Sequence, residues 1–281
     1  MVNFFKFVFK KRMVLAALMF LFFLFSLSIL IPVVSPYSDD IKGAVFFQNK
    51  NQPPSISHWF GTDSAGRDIF TLTIYAAMAS FKVAFGVVFL SVLIGTPIGL
   101  FAGVSSSRTI DDIIMRTTDG FLAFPPMVLP IIITTALGPS LNNVIIGIAA
   151  SWFPWYVRIS RSQAIIIKSS EYVMVSSSMG ASKLHIIKNH VLPNSINPII
   201  IQGSIDAGYA ILTAAGLSFI GLGVQPPDVE WGLLISLARS QFLNNWWVMF
   251  FPGIFMVLSA VSFNVVGDGI RDYYNRKLDQ V

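Results

Sequence analysis

One acid stands inside a run of apolar residues: Asp206, with Ala210, Ala214 and Ser218 following at four-residue steps close to one helical face. A carboxylate surrounded by lipid is costly, so that face is expected to turn toward a protein or aqueous interior. Two roles fit it equally well: a solute or gating contact along a translocation path, or a structural acid hydrogen-bonded to a neighbour or set near the headgroups. Catalytic chemistry finds little material elsewhere. No Gly-x4-Gly-Lys-Ser/Thr phosphate loop occurs, so any ATP hydrolysis must be supplied by another polypeptide. The three histidines, His58, His185 and His190, fall on different expected loops or sides, and neither His-Glu-x-x-His nor a nucleophile elbow is present. No bound metal or cofactor is therefore expected on this chain, and Ser105-Ser106-Ser107 and Ser176-Ser177-Ser178 read as loop and cap residues. The absence of cysteine leaves no disulfide framework and no thiolate site.

A second constellation lies just upstream, at about 169–194, where a basic stretch too polar to cross a bilayer separates two apolar runs. Ser169 and Ser170 can cap a helix beginning at Glu171, whose acid suits the positive end of the helix dipole. Tyr172, Val175 and Met179 then form one apolar stripe at helical spacing. Gly180 suits a left-handed helix stop, after which Ala181 leads to Ser182, the cap of a second helix bearing Leu184, Ile187 and Val191 and interrupted at Pro193. Such a helix, glycine, helix elbow fits either a membrane surface or a groove on a partner protein.

The elements that position these residues follow from composition. The 281 residues are 54% hydrophobic and only 12% charged, with 25 Phe and 20 Gly, which points to a polytopic membrane protein rather than a soluble domain. Six apolar runs are long enough or nearly so to span a bilayer, at about 13–34, 81–104, 120–137, 143–160, 196–219 and 246–267. With the N-terminus inside, Lys and Arg divide 14 inside to 5 outside, the inside set including Lys6, Lys10, Lys11, Arg12, Arg276 and Lys277. That division sets the orientation and explains the net charge of +5 without nucleic acid. Lys10-Lys11-Arg12 before an apolar run resembles a signal peptide, but the run is long and has no clear small-x-small cleavage site, so a retained first helix is expected.

Gly95, Gly99 and Gly103 recur every fourth residue in the second span and predict a close helix contact. Pro97, Pro125, Pro126, Pro130 and Pro154 remove backbone donors and predict kinks or broken turns. Between the first two spans, Gly61-Thr62-Asp63 and Gly66-Arg67-Asp68 supply turn glycines and one Arg among acids. They read most economically as a loop held by local hydrogen bonds and ion pairs, and alternatively as a contact for an extracytoplasmic partner. Gln225-Pro-Pro-Asp-Val-Glu-Trp231-Gly232 is expected to be a stiff external loop with the same two readings, and Trp231, Trp246 and Trp247 to form an outer aromatic belt.

The elbow also carries a resemblance. Glu171-Tyr-Val, Gly180-Ala-Ser, Ile186, His190 and Leu192-Pro193-Asn194 resemble the cytoplasmic loop of binding-protein-dependent ABC importer permeases. His58-Trp-Phe-Gly-Thr-Asp63-Ser-Ala-Gly66-Arg67-Asp68, Gly216-Leu-Ser-Phe-Ile-Gly-Leu-Gly-Val-Gln-Pro-Pro227 and Phe263-Asn264-Val-Val-Gly267-Asp268-Gly269-Ile-Arg271-Asp272 narrow it to the second permease of the dipeptide, oligopeptide and nickel branch. The match runs from about residue 55 to 275. It implies an all-α type I importer transmembrane domain with a coupling helix at the elbow. The implied partners are a second homologous permease, two ABC ATPases that hold ATP and Mg, and an extracytoplasmic substrate-binding protein.

The family's Glu-Ala-Ala core, and the Arg often next to it, fall here on Met174-Val175-Ser176 and Ser177. The coupling set that the resemblance implies, Glu171, Tyr172, Val175, Met179, Gly180, Ala181 and Ser182, would then lack the family's charged contacts at the docking surface, leaving Tyr172, Val175 and Met179 to carry it by apolar burial. The expected organisation is a first segment and helix at 1–35, an extracytoplasmic segment at 36–77, a transmembrane core at 78–268 and a tail at 269–281, embedded in lipid with both termini cytoplasmic. Relatives in this branch move dipeptides, longer peptides, glutathione, nickel or metal chelates and some oligosaccharides, with peptides the leading expectation. The rivals are an ion-coupled secondary transporter using Asp206 as the coupling acid, weakened by the lack of a visible internal repeat, and a membrane anchor without transport.

Overall fold

A computed structural model describes residues 11–278 of the chain, with side chains to Asn275; of the inside set, Lys6 and Lys10 lie outside the described residues, as do the side chains of Arg276 and Lys277. The described chain is almost wholly helical, and one isolated bridge, Thr62 to Asp68, is its β-structure. The helices are α1 (Arg12–Val34), α2 (Ile69–Val104), α3 (Arg108–Leu122), α4 (Val128–Leu137) and α5 (Leu141–Lys168). They continue as α6 (Glu171–Ser178), α7 (Lys183–Ile186), α8 (Leu192–Phe219), α9 (Trp231–Ala238) and α10 (Trp247–Leu278).

Among the described residues, four helical runs are long and apolar enough to cross a membrane: Arg12–Val34, Ile69–Val104, Lys183–Phe219 and Trp247–Asn275. Two of the six expected spans are not among them. The third, read as one run over 120–137, is cut in two, because α3 stops at Leu122 and α4 begins at Val128 across Pro125 and Pro126. Two prolines in series remove two donors and disfavour helix in the residue before each. The fourth is helical and longer than expected, at 28 residues, but Arg158, Arg161 and Lys168 lower its apolar character. Pro97 and Pro154, by contrast, sit inside unbroken α2 and α5.

Pro193 is a further correction. It was expected to end the second elbow helix, yet a π-helical turn over Ile187–Val191 carries the chain directly into α8, where Pro193 occupies the first turn. The Leu192 amide donates to the Ile187 carbonyl across that π turn, so the helix runs on past the proline.

The core is built where α2 meets α5 and α8. Val83 and Val87 of α2 pack with Val144 and Ile148 of α5 and with Ala210, Ala214 and Leu217 of α8. A second cluster joins Leu24 and Ile31 of α1 to Phe81, Ile211, Trp231 and Phe263. Lys11 pairs with Asp272, tying the start of α1 to α10.

The glycine stripe is an interhelix contact. A Cβ on Gly95 would lie 2.7 Å from Tyr156 Cβ, one on Gly99 2.9 Å from Ser160 Cβ, and one on Gly103 2.6 Å from Ala164 Cβ. The carbonyl oxygens of Phe153 and Val157 lie closer still to the first two positions. Only hydrogen fits, so α2 and α5 touch backbone to backbone over two turns.

Two aromatic expectations are overturned. Trp231 is fully buried and donates through Nε1 to the Thr73 carbonyl at 2.8 Å, while Trp247 is buried and donates to the Thr62 carbonyl at 3.3 Å. An indole with a buried partner gains more from the core than from an interface; Trp246 remains exposed. The supposed external loop at 225–232 is likewise half interior. Glu230 is buried and caps α9 by accepting from the Leu233 amide at 3.2 Å, and that burial pushes its carboxyl above the usual range.

Candidate functional site

Asp206 is partly buried on α8, facing α5. Its Oδ2 accepts from the Tyr156 hydroxyl at 2.7 Å, and its Oδ1 accepts from the Gln202 amide at 2.8 Å. Gly203 makes room for this arrangement, since a Cβ there would meet Val88 at 3.0 Å and the Tyr156 hydroxyl at 3.7 Å. The carboxylate lines a cavity of about 480 Å³ together with Pro126, Met127, Trp152, Trp155, Gln202, Tyr209 and Thr213, among others.

Ala210 and Ala214, placed beside Asp206 by the four-residue spacing, are instead fully buried against α2 and α5. Helical geometry explains the separation. Each four-residue step drifts about 40° one way, whereas positions seven and three residues on, and four back, fall about 20°, 60° and 40° the other way. Those positions are Thr213, Tyr209 and Gln202, and all three line the cavity. They were legible from spacing in the sequence; Tyr156, Trp152 and Trp155 come from another helix and were not.

The elbow has one anchored and one open face. Val173 is 1% exposed and packs with Leu100, Val104, Ala164, Ile167, Ile186 and Val191, which seats α6 on the ends of α2 and α5. Val175 and Met179 are exposed, Met179 at 84%, while Tyr172, half-exposed, packs its ring edge-on against His190 and accepts from the Asn194 side-chain amide at 3.4 Å. Gly180 stops α6 at φ +87°, with its amide and that of Ala181 donating to the Ser177 and Ser176 carbonyls at 3.0 and 3.2 Å. Ser182 caps α7 by accepting from the His185 amide at 3.2 Å.

The first cap differs from expectation. Ser169 and Ser170 turn their hydroxyls back onto the Ile166 and Ile167 carbonyls, leaving exposed Glu171 alone at the N-terminus of α6. Ser176, which falls on the family's Glu-Ala-Ala core, lies 3.3 Å from His190 Nε2.

The 36–68 segment forms a locally bonded loop. Asp63 accepts from the Ala65 and Arg67 amides at 2.8 and 2.9 Å, and from the Arg67 guanidinium at 2.8 and 2.6 Å. Asp68 caps α2 through the Thr71 amide at 2.8 Å and contacts His58 Nδ1 at 3.0 Å. Asp40 accepts from the Asp68 amide at 2.7 Å, yet burial pushes its carboxyl above the usual range. Thr62 is buried and bonded to Asn49 and Gln52. Gly61 and Gly66 adopt φ +74° and +82° where a Cβ would strike Gln52 and Phe46. Asp63 and Arg67 also border a second cavity of about 490 Å³, closed opposite by Pro226, Pro227 and α9.

Residues 95–280 match the family described as the binding-protein-dependent transport system inner membrane component. The chain belongs to this family. It is 42% identical over 252 residues to the probable D,D-dipeptide transport system permease protein DdpC of Escherichia coli K12, covering 89% of this chain and 84% of that one. It is 44% identical over 230 residues to the dipeptide transport system permease protein DppC of Alkalihalophilus pseudofirmus, covering 82% and 75%. A glutathione transport system permease protein, GsiD of Pectobacterium atrosepticum, is 35% identical over 269 residues, covering 96% and 88%.

Among solved structures, an inward-facing form of the MetNI methionine ABC transporter aligns with a TM-score of 0.61 at 16% identity, over 72% of this chain and 95% of that one. That likeness is one of fold. The chain is thus an integral membrane permease of the ABC transporter type, nearly all helical, as the sequence implied.

Proposed function

We propose that the chain is the pore-forming half of an ATP-driven importer that takes up peptides handed over by an extracytoplasmic binding protein. A second homologous permease completes the pore, and two ABC ATPases holding ATP and Mg supply the hydrolysis that this chain does not perform. In this reading α1, α2, the broken run at 120–137, α5, α8 and α10 make six crossings, with residues 105–119 and both termini cytoplasmic. The segment at 36–77 is then extracytoplasmic, with the core at 78–268 and a tail from 269.

The observation that carries the reading is the open apolar face of α6. Val175 and Met179, beside the exposed half of Tyr172, stand out from an elbow whose other face is locked to the core through Val173. An apolar patch left uncovered on a rigid element suits a groove on a partner. Glu171, Gly180, Ala181 and Ser182 set the angle at which it is offered, so ATPase closure is transmitted as a rigid push into α5 and α8. Solute passes along Asp206 and the cavity beside it, while Ala210 and Ala214 hold α8 against α2 and α5. Gly61, Thr62, Asp63, Gly66, Arg67 and Asp68 shape the surface that receives the binding protein.

Peptide as cargo rests on the printed names of the dipeptide relatives. The glutathione relative favours a second reading in which the cargo is that tripeptide. ATP-driven uptake of labelled dipeptides and of glutathione into proteoliposomes holding the complete transporter tests both. Uptake of dipeptide, competed weakly by glutathione, is expected; ATP-independent uptake driven by an ion gradient would refute the proposal.

A further inference from the structure

We propose that the cavity between α5 and α8 is an ammonium subsite, in which Asp206 takes the primary ammonium group of a peptide in transit. The inference rests on the proposed peptide permease function and adds the chemistry by which this chain itself selects and orients its cargo. Three observations carry it.

The first is a carboxyl with no cationic partner. The two groups bonded to Asp206 are a phenol and a carboxamide, both neutral. Arg158, which lies over the Trp155 ring, is paired with Asp119 at 2.7 Å. Among the described residues no cation forms an ion pair with Asp206. Each carboxylate oxygen offers about two acceptor sites, so one on each remains after Tyr156 and Gln202 are bonded. A carboxyl held by two neutral donors beside a cavity has acceptor sites left for a cation that arrives with the solute, and that cation would favour its ionised form.

The second is the wall. Trp152, Trp155 and Tyr209 line the same cavity as the carboxylate. Aromatic faces around an acid are the environment that recognises ammonium groups, because ring quadrupoles attract cations and a strongly hydrated metal ion would keep its water. Trp155 already holds the Arg158 guanidinium 5.8 Å from its ring centroid, which shows a ring face used in this way at the rim.

The third is size. About 480 Å³ lies within the range of small-molecule sites. An extended dipeptide separates its termini by about 7 Å. With the ammonium on Asp206, the peptide carboxylate is held away from the acid, so cargo enters in one orientation.

The test uses the complete purified transporter in nanodiscs, without binding protein, and equilibrium dialysis with three labelled probes: alanyl-phenylalanine, N-acetyl-alanyl-phenylalanine and N-acetyl-alanyl-lysine. The wild type is expected to bind the free amine about tenfold or more tighter than its acetylated form, as suits one charge-assisted contact. Asp206→Asn, which keeps the size and an acceptor for Tyr156, and to which Gln202 can turn its carboxamide oxygen, is expected to erase that preference, so that free and acetylated probes bind alike; Asp206→Glu is expected to retain it. Binding of the lysyl probe at the free-amine level supports the subsite and shows that a side-chain ammonium also serves.

Equal binding of free and acetylated forms by the wild type, a preference that survives Asp206→Asn, or an equal loss for all probes would overturn the proposal. ATP-driven uptake by the wild-type transporter with its binding protein is measured alongside. Its absence removes the proposed function; its presence without an ammonium preference removes only this inference.

Discussion

Replacing Gly99 by alanine should pry α2 from α5. The new Cβ would lie 2.9 Å from Ser160 Cβ and 3.0 Å from the Arg161 amide nitrogen, with the Val157 carbonyl oxygen nearer still. Carbon pairs rest about 3.5–4.0 Å apart, so the two helices must separate locally by roughly 0.6–1.1 Å. The atoms in the way are backbone and Cβ, which no rotamer change can move. Overpacking of this kind costs about 1–3 kcal/mol.

Alanine also gains helix propensity over glycine, and that gain must be removed from the comparison. Gly253→Ala in α10 provides the control, since a Cβ there meets nothing within 4 Å. The difference between the two variants isolates the clash. Thermal unfolding of the purified transporter should place Gly99→Ala roughly 2–12 °C below Gly253→Ala. If the two melt together, α2 and α5 do not touch as described.

The elbow, the loop and the α3–α5 contact offer further tests. Gly180→Val should lower peptide-stimulated ATPase activity because φ +87° is strained for a β-branched residue by about 1–2 kcal/mol or more, whereas Gly180→Asn, which tolerates that conformation, should retain it. An equal loss in both would move the cause from backbone strain to steric contact with a partner, since a Cβ at this position meets nothing within this chain. Arg67→Ala should destabilise the 36–68 loop by about 2–4 kcal/mol, because it leaves Asp63 nearly buried with only backbone donors. Protease sensitivity of the loop reads this directly, and unchanged cleavage would contradict the buried pair.

Asp111 is held below the usual carboxylate range by hydrogen bonds from Arg161 at 2.6 and 2.5 Å. Its native pKa thus lies below its unfolded value. Its contribution is complete above about 3.9 and is lost as pH falls through the native value. The melting difference between wild type and Asp111→Asn should therefore stay constant from pH 8 to 5 and shrink only in more acid solution. A difference that fades between pH 7 and 5 would contradict this assignment.

Local periodicity and turn chemistry were legible wherever a residue's role depends on its near neighbours. Glu171 opens α6, Gly180 closes it and Ser182 caps α7, as helix-end rules require. The Gly95, Gly99 and Gly103 stripe announced a close contact, although only the structure names α5 as its partner. The misreadings each have a non-local cause. Trp231 and Trp247 looked like interface residues because nothing local reveals that Thr73 and Thr62 offer them carbonyls. The run at 120–137 looked like one span because hydropathy averages over Pro125 and Pro126. Pro193 looked like a helix stop because the π turn that places it in a first helical turn has no sequence mark of its own. At the cavity, the α8 residues could be found from helical angle, while Tyr156, Trp152 and Trp155 depend on how α5 packs.

The central claim is that the open face of α6 is a docking surface for an ATPase that drives transport. It is tested most directly by purifying the chain from its native membrane in mild detergent and asking which proteins accompany the wild type and the Met179→Asp variant. A charge at this exposed position should leave the fold unaffected, as no neighbour covers it. The account predicts that a Walker-motif ATPase accompanies the wild type, and that Met179→Asp loses the ATPase but keeps the second permease. A wild-type chain recovered without any ATPase, or an ATPase bound equally by the variant, would contradict it.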